Sequence, residues 1–542
     1  MANQARQRAI IKVFRKYSHS LGPDALEFLE RVLDDHDIAD EDVEASIDML
    51  AKEYNKQDDA KMKVTLSVLQ RVYEAAQEQG DPTSRHRDVL DPDSHIHLIN
   101  AFDMPCWHWS TERGTFEQHP GVLTASGSAD SRVACIRDRH HIIKQCILRN
   151  EHFAPSTLPS HDRERLVTLR STKQLLGRFG ERFLLLGMLR TTKEGNLCIE
   201  DADGTVVLDF GKLDEPGDGL FTEGSFALVE GLYTEDSTLE IIAIGQPPCE
   251  PRDISRSIYG HIDFLGKGST SLLEDAQHTI RIREDLSDLH LFFLSDVWLD
   301  HPQTLPGLEQ LFKNCVDNSF IPKIIVLCGN FSSRSISQGS GSEVQLYQEK
   351  FDALADLIAR HPLIARTTHF VLVPGPGDIC ANSILPRRPI LSTFFTRLKS
   401  KVPKLHLGSN PCRIKFFNQE IVIFREDTMA RMLRNVRGVK PNVETNDLKK
   451  FLVQTILDQA HLSPLANNIQ PVSSDYDHAL RLYPLPTCIV LADKYDRYKL
   501  TYSGCHVFNP GSFIGNNYSF SAYKPAEMNS EECILDVQSD EE

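Results

Sequence analysis

Residues 289–330 read LHLFFLSDVWLDHPQTLPGLEQLFKNCVDNSFIPKIIVLCGN, and the two ends of this stretch decide the fold. LHLFFL runs into Ser295-Asp296, and IIVLC runs into Gly329-Asn330. Each is a short apolar run that ends in a polar turn, the signature of a strand buried on both faces of a parallel sheet. In open α/β sheets, ligands bind just beyond the carboxyl ends of such strands. Two more runs have the same form. HFVLV opens into Pro374-Gly375-Pro376-Gly377-Asp378, and TCIVLAD opens into Lys494-Tyr495.

The order of these loops resembles the calcineurin-like metallophosphoesterases, which place D-x-H, G-D, G-N-H-D and G-H-x-H at successive strand ends to hold two metal ions. Metals about 3.5–4 Å apart clamp a phosphoryl group and activate water, and they need His, Asn and carboxylate ligands from separate loops. Against that pattern the first loop keeps Asp296 but has Trp298 at the His position. The second has Asn330 where the bridging Asp belongs, and the third has Pro376 and Gly377 in place of Asn and His, leaving Asp378. The fourth, Ala492-Asp493-Lys494-Tyr495, has lost both histidines. His461 sits where the family keeps a lone ligand histidine, and one survivor cannot assemble a two-metal site. The resemblance implies a retained scaffold with no catalytic residue, metal or cofactor. Trp298 and Tyr495 are expected to fill the vacated space, with His461 as a hydrogen-bonded structural residue.

The strings SDVWLD, LCGNFSS, VPGPGD, SNPCRI, HLSP, ADKYD and NPGSF together resemble the B subunits of eukaryotic replicative DNA polymerases, over about residues 95–525. LGMLRTTKEGNLCIEDADGTVVLDF and a helical N-terminus make the epsilon branch the most similar. The resemblance implies a nuclear, non-catalytic accessory subunit that scaffolds the zinc-binding C-terminal region of the epsilon catalytic subunit. It further implies a link to the replicative helicase through an N-terminal helical domain similar to the lid of AAA+ ATPases, and indirect association with small histone-fold polymerase subunits. No Walker motif accompanies that likeness, so ATP is not implied. The alternatives are a B subunit of polymerase alpha or delta, and a working phosphoesterase or nuclease built from Asp296, Asp300, Asn330, Asp378, His461 and Asp493. Carboxylates alone can hold Mg²⁺, but without the histidines and the bridging Asp there is no general acid and no two-metal clamp.

Composition bounds the rest. A chain of 542 residues exceeds what one core supports, so about two to four domains are expected. The net charge of −17 is the opposite of what gripping a phosphate backbone requires, which favours protein partners and makes DNA contact local and secondary. Twelve cysteines without a C-x-x-C pair argue against a zinc ribbon and for buried thiols in a reducing, intracellular setting. No leader and no apolar run approaching roughly 18 residues is seen.

Along the chain, the expected organisation is multidomain α+β: an N-terminal four-helix bundle, an OB-fold β-barrel and an α/β phosphoesterase sandwich. Residues 1–78 carry four apolar stripes, the last including Met62, Val64, Leu66 and Leu69. Proline at a helix start marks Gly22-Pro23-Asp24. Residues 79–164 are a linker and connecting segment, polar and turn-rich over 79–93. There Phe102, Trp107 and Trp109 are expected to pack on the body rather than stack bases, and 134–149 to form a helix with a solvated basic face that includes His140 and His141. Residues 165–250 alternate as five short strands with turns at Glu194-Gly195-Asn196 and Asp203-Gly204, which fits an OB-fold. Its aliphatic faces and acidic flanks (Glu200, Asp201, Asp203, Asp214, Glu215) disfavour DNA. Residues 251–525 are the inactive phosphoesterase-like domain. It contains a crossover helix at 344–360, a small polar loop at 332–342, a hairpin within 409–427 and a modest basic spot at Arg387, Arg388, Arg397 and Lys399. Residues 526–542 read as an acidic, disordered tail.

Overall fold

The computed structural model describes residues 2–35, 38, 42–55, 57, 62–78, 91–153, 168–213, 216–336, 341–379, 383–438, 441 and 447–535. Most of the expected linker, Asp214, Glu215, part of the 332–342 loop and residues 536–542 lie outside the described residues. The chain divides into two compact units. One joins Met1–Ile96 with Arg256–Leu286, and the other joins His97–Ser255 with Ser287–Glu542.

In the first unit, helices Ala2–Lys16, Pro23–Asp35, Val43–Asn55 and Leu66–Glu78 bury Ile10, Phe14, Leu29, Ile47, Tyr54 and Leu69 against one another. Pro23 is the first helical residue, where a missing N–H costs nothing. The fourth apolar stripe is shorter than expected. Met62 is 76% exposed, and its carbonyl accepts from Ser20 N at 2.7 Å while Val64 N donates to Ser20 O at 2.9 Å. That short bridge pulls the strip before Leu66 out of the helix.

Residues 256–286, expected within the phosphoesterase-like domain, instead complete this helical unit. Their helix Leu272–Asp285 opens on a capping box in which the Ser271 side chain accepts from Glu274 N and the Glu274 carboxylate from Ser271 N. Lys52 Nζ lies 2.8 Å from Glu274 Oε2, and the Tyr17 ring meets His261 edge-on at 6.2 Å. Arg256 closes the segment by donating to Thr270 O and Asp275 Oδ2, both at 2.7 Å. Helical periodicity cannot reveal a pairing whose partners are 222 residues apart.

The second unit contains a barrel and a sandwich. Strands Arg182–Thr191, Leu197–Glu200, Thr205–Asp209, Thr238–Gly245 and Phe226–Tyr233 follow one another in the sheet, with Leu169–Arg170 at one end. Pairing of Arg182–Thr191 with Phe226–Tyr233 closes the barrel. Phe183, Leu185, Leu189 and Ile199 point inward. Leu184 and Leu186 face the other way, under Ile143 and Ile147. The helix that carries these isoleucines spans Ala129–Arg149, starting on a Ser128–Ser131 capping box, so it covers the barrel rather than standing free in solvent. This explains why FLLLGMLR is continuously apolar instead of alternating. A Cβ at Gly187 would lie 2.6 Å from the Glu200 carbonyl, so only glycine permits this approach of strands.

The sandwich has two six-stranded sheets. The first runs Leu405–Leu407, His369–Val373, Ile324–Cys328, Leu291–Leu294, Ser519–Lys524, Asn529–Ile534, its first four strands parallel. The second runs Ile96–Asn100, Cys412–Phe416, Gln419–Arg425, Cys488–Ala492, Cys505–Asn509, Tyr498–Tyr502. Phe293 of the first meets Phe508 of the second at 5.3 Å, and Tyr523 stacks on Phe508 between them. Outside the first sheet, helices Thr304–Asp317 and Gly341–Ala359 supply Leu308, Phe312, Phe351 and Leu354. Outside the second, Leu448–Asp458 supplies Leu452 and Ile456.

The expected tail boundary at 525 moves. Asn529–Ile534 is an edge strand paired antiparallel to Ser519–Lys524. Ser530 Oγ lies 2.8 Å from His506 Nε2, and Leu535 joins the core. Glu531 and Glu532 are exposed and Glu531 pairs with Lys524 at 2.7 Å. Acidic composition here marks a charged sheet edge, a common guard against edge-to-edge pairing.

Candidate functional site

Three adjacent parallel strands of the first sheet lie in register, Leu294 beside Leu327 and Leu327 beside Leu372. Their carboxyl ends therefore bring Asp296, Asn330 and Asp378 together. Asn330 N donates to Asp296 Oδ1 at 3.3 Å, and Gly377 N donates to Asn330 Oδ1 at 2.7 Å. Asp378 accepts from Phe331 N and Gly375 N, both at 2.7 Å, and from the Tyr347 hydroxyl at 3.1 Å. Burial pushes the Asp378 carboxyl up to about 6, and these three hydrogen bonds pull against it. Its role is to knot the third loop to the second. The contact is so close that a Cβ at Gly329 would fall 1.9 Å from Asp378 Oδ2.

The second sheet sends a cation into this crevice. Arg425 is the last residue of strand Gln419–Arg425 and is fully buried. Its Nη2 lies 2.7 Å from Asp296 Oδ1, and its Nε donates to Gly329 O at 2.6 Å. Nη1 donates to Asp427 Oδ1 at 2.9 Å and to Ala492 O at 3.3 Å. Lys494 Nζ stands 3.2 Å from the other Asp427 oxygen, so two carboxylates face two cations. Burial would raise the Asp427 carboxyl, but the charges of Arg425 and Lys494 outweigh it and hold it low. Burial likewise opposes the charge on Arg425, and Asp296 and Asp427 more than restore it.

This arrangement corrects the expected filling of the crevice. Trp298 is only half-buried. Its backbone makes a turn, with N donating to Asp296 O at 2.9 Å and O accepting from Thr304 Oγ1 at 2.5 Å. Tyr495 packs against the core outside the second sheet. The guanidinium of Arg425 occupies the space instead. Pro376 and Gly377 lie in the third loop, where the Gly377 N–H donates to Asn330 Oδ1. Asp493 accepts from Met429 N at 2.8 Å and Tyr495 N at 3.0 Å, capping helix Thr428–Arg434, and burial raises its carboxyl. Asp300 turns to Ser333, accepting from its N at 2.8 Å and Oγ at 2.6 Å.

His461 belongs to a different cluster. Its Nδ1 accepts from Ser463 N at 3.1 Å, and its Nε2 lies 3.2 Å from Asp477 Oδ1. Burial, then Arg139, lowers its pKa. Asp477 is held down to about 2 against its own burial by His461, Arg139 and Arg481. Among the described residues, no group of three or more His, Cys, Asp or Glu is placed to hold a metal ion.

Three of the four residues of the basic spot have partners within the chain, and Lys399 is exposed. Arg387 is 3% exposed and pairs with Glu426 at 2.5 Å. Arg397 binds Asp356 through two bonds of 2.9 and 2.7 Å, and Arg388 lies over the Phe102 ring. Phe102 also meets Tyr476, and Trp109 meets Phe116, so these aromatics pack on the body. On the barrel helix, Arg149 pairs with Glu250 at 2.6 Å, and His140, beside Phe226, is lowered to about 4 by burial and then by His141 and Lys144. A separate cleft of about 720 Å³ is lined by Trp107, His108, His119, Asp475 and Arg481 among others. Of its carboxylates, Asp475 turns to Thr124 and Asp138 to Trp109 N.

Arg425 was not singled out by the sequence. The one signal was its place as a charged residue ending the apolar run EIVIF. No helix among the described residues is long and apolar enough to cross a membrane.

Comparison with known proteins agrees with the strand-end strings. The family of alpha/epsilon B subunits of DNA polymerase matches residues 291–499. The OB-fold domain family of DNA polymerase epsilon subunit 2-like proteins matches 129–248, so the module begins at the covering helix, ahead of residue 165. DNA polymerase epsilon subunit 2 of Homo sapiens is 33% identical over 546 residues, covering 99% of both chains. The B subunit of DNA polymerase epsilon from Arabidopsis thaliana is 31% identical, covering 98% of this chain and 99% of its own. An archaeal phosphodiesterase structure aligns with 46% of this chain and 100% of its own at 11% identity, and its TM-score of 0.25 is too low to assign a fold.

Proposed function

Since the chain belongs to the DNA polymerase epsilon subunit 2 family and is an accessory subunit of that polymerase, we propose that its sandwich and barrel form a non-catalytic scaffold. The observation that carries this reading is Arg425. The sandwich is read as a degenerate calcineurin-like phosphoesterase whose strand-end crevice holds an arginine of its own chain. A guanidinium brings positive charge but has no open coordination position at which water could ionise. Asp296, Asn330 and Asp378 are all engaged in holding loops together. The same bonds that prevent chemistry make the loops rigid, which suits a surface for a permanent partner.

The partner proposed for this body is the zinc-binding C-terminal region of the epsilon catalytic subunit. The helical unit, Met1–Ile96 with Arg256–Leu286, is proposed to resemble an AAA+ lid and to dock on the replicative helicase, with the histone-fold subunits joined indirectly and the whole complex nuclear. Net charge of −17 and the internal pairing of Arg387 and Arg397 leave DNA contact secondary. Full-length relatives named for epsilon favour that branch over alpha or delta.

The test is recovery of partners from nuclear extract with the full chain and with an Ile47→Asp variant, which breaks the first unit's core while leaving the second unit's residues intact. The catalytic subunit should be recovered with both baits and helicase components only with the wild type. Loss of the catalytic subunit from the Ile47→Asp bait, or helicase recovery with it, would contradict this division of labour.

A further inference from the structure

We propose that the cleft of about 720 Å³ between strand Trp107–Ser110 and the first half of helix Ala129–Arg149 binds an arginine-bearing segment of a partner polypeptide. Three elements wall the cleft, and each is tied to the other two. Asp138 of the helix accepts from Trp109 N at 2.5 Å, and Ser131 Oγ lies 2.8 Å from Ser474 Oγ of the turn Ser474–Leu480. Just beyond that turn, Arg481 Nη2 donates to Trp107 O at 2.5 Å. The walls are therefore set before any ligand arrives, which spares part of the ordering cost of binding. Along the helix, Asp130, Ala134, Asp138 and His141 line the cleft at the spacing of one helical face. Further on, Ile143 and Ile147 cover the barrel. The volume lies within the range of about 300–1,000 Å³ typical of clefts that bury a ligand.

The lining sets four carboxylates against two guanidinium groups, so with neutral histidines it carries a surplus of negative charge. Asp138 faces Arg481 at 3.5 Å, and Asp477 faces His461 at 3.2 Å. Asp475 differs from both. It accepts from Thr124 N at 2.8 Å and Thr124 Oγ1 at 2.9 Å, neutral donors that leave its charge in place. Burial would raise its carboxyl, but the bonds from Thr124 and Ser131 hold it below its ordinary value. Asp130 is exposed on the rim. Trp107, His108 and His119 add ring faces, and a guanidinium gains by resting on aromatic faces beside carboxylates. A second group calls for the opposite partner. Arg481 is 8% exposed, and its Nη1 has no hydrogen-bond acceptor among the described residues. A polypeptide supplies both at once, a guanidinium for Asp475 and Asp130 and a main-chain carbonyl for Arg481 Nη1. A free amine has no such carbonyl, and a nucleic acid would bring phosphates to a surface already in negative surplus. The inference rests on this cleft alone, holds whichever protein supplies the segment, and does not involve the strand-end crevice.

The chain has three tryptophans, Trp107 and Trp109 in this cleft and Trp298 elsewhere, so the full chain labelled with fluorotryptophan carries its own reference. It is titrated with the blocked peptide Ala-Leu-Arg-Leu-Ala, and with the same peptide carrying citrulline, the neutral isostere, under fluorine NMR. The arginine peptide should move the Trp107 or Trp109 resonance and leave that of Trp298 in place. Citrulline should weaken binding by about fivefold or more. Asp130→Asn, on the exposed rim, should weaken the arginine peptide about two- to fivefold, and Asp130→Asn with Asp475→Asn about tenfold. Equal affinity for the citrulline peptide, or an unchanged affinity in the double variant, would overturn the inference. Silence of both cleft resonances would overturn it too, as would an oligothymidylate that moves them where the peptide does not. Should the double variant melt below wild type, Asp130→Asn alone decides, and unchanged affinity there would overturn the inference.

Discussion

The helical unit and the sandwich each hold distant chain segments together with an ion pair, one partly open to solvent and one sealed from it. In the helical unit, Lys52 reaches Glu274 where the two side chains remain 12% and 34% exposed. In the sandwich, Arg425 reaches Asp296 with 1% and 3% exposed. A pair partly open to water contributes less, because solvent screens it and competes for its partners. A fully buried pair differs in kind. Its formation offsets the desolvation of two ions, so its net contribution to stability is modest, yet breaking it strands a charge. The first device tolerates substitution, and the second makes every member of the network indispensable to the others.

The largest effect should follow loss of Arg425. Its truncation to alanine should cost about 3–5 kcal/mol in metal-free buffer, the usual penalty for orphaning a buried charge, read from chemical denaturation of the second unit. A loss below about 1 kcal/mol would place the crevice in the same class as the helical unit's pair and break the comparison.

A buried carboxylate whose partners are a hydroxyl and a backbone amide sharpens the contrast. Asp458 accepts from the Tyr502 hydroxyl at 3.1 Å and from Cys249 N at 3.3 Å, and burial pushes it from 3.8 up to about 7. Its folded pKa lies above the unfolded one, so the stability it contributes is fully present below about pH 4 and is lost as pH rises through 7. The displacement corresponds to at most about 4 kcal/mol. Asp458→Asn should therefore flatten the fall in stability between about pH 4 and 7 and gain on wild type at about pH 8. An unchanged pH profile would mean that Asp458 is ionised in the fold.

The smallest effect should be that of Lys52→Ala, about 0.5–1 kcal/mol on the first unit and reduced further by salt. A loss as large as that of Arg425→Ala would show that the segment 256–286 hangs on this one pair rather than on packing.

Much of the scaffold was legible because it is written in local periodicity. LHLFFL, IIVLC, HFVLV and TCIVLAD each contain or coincide with a buried strand, at Leu291–Leu294, Ile324–Cys328, His369–Val373 and Cys488–Ala492. The helix expected at 344–360 appears as Gly341–Ala359, and the turn signals at Gly195 and Gly204 sit between paired strands. What stayed hidden is set by tertiary choice. Arg425 lies 129 residues from Asp296 and 96 from Gly329, and no local pattern tells which carboxylate a strand-terminal arginine will meet. His461 matched a ligand position by order along the chain, yet turns to Asp477. The acidic run after residue 528 was read from composition, which cannot distinguish a solvated tail from a charged edge strand.

The most direct test of the central claim, that the strand-end crevice is occupied and chemically silent, is metal analysis with phosphodiester hydrolysis on the wild-type chain in complex with the catalytic subunit, referenced to that catalytic subunit alone. The account predicts no manganese and no added zinc beyond what the catalytic subunit itself carries, and no hydrolysis attributable to this chain. One tightly bound metal ion per chain, with hydrolysis abolished by Asp296→Ala, would contradict it.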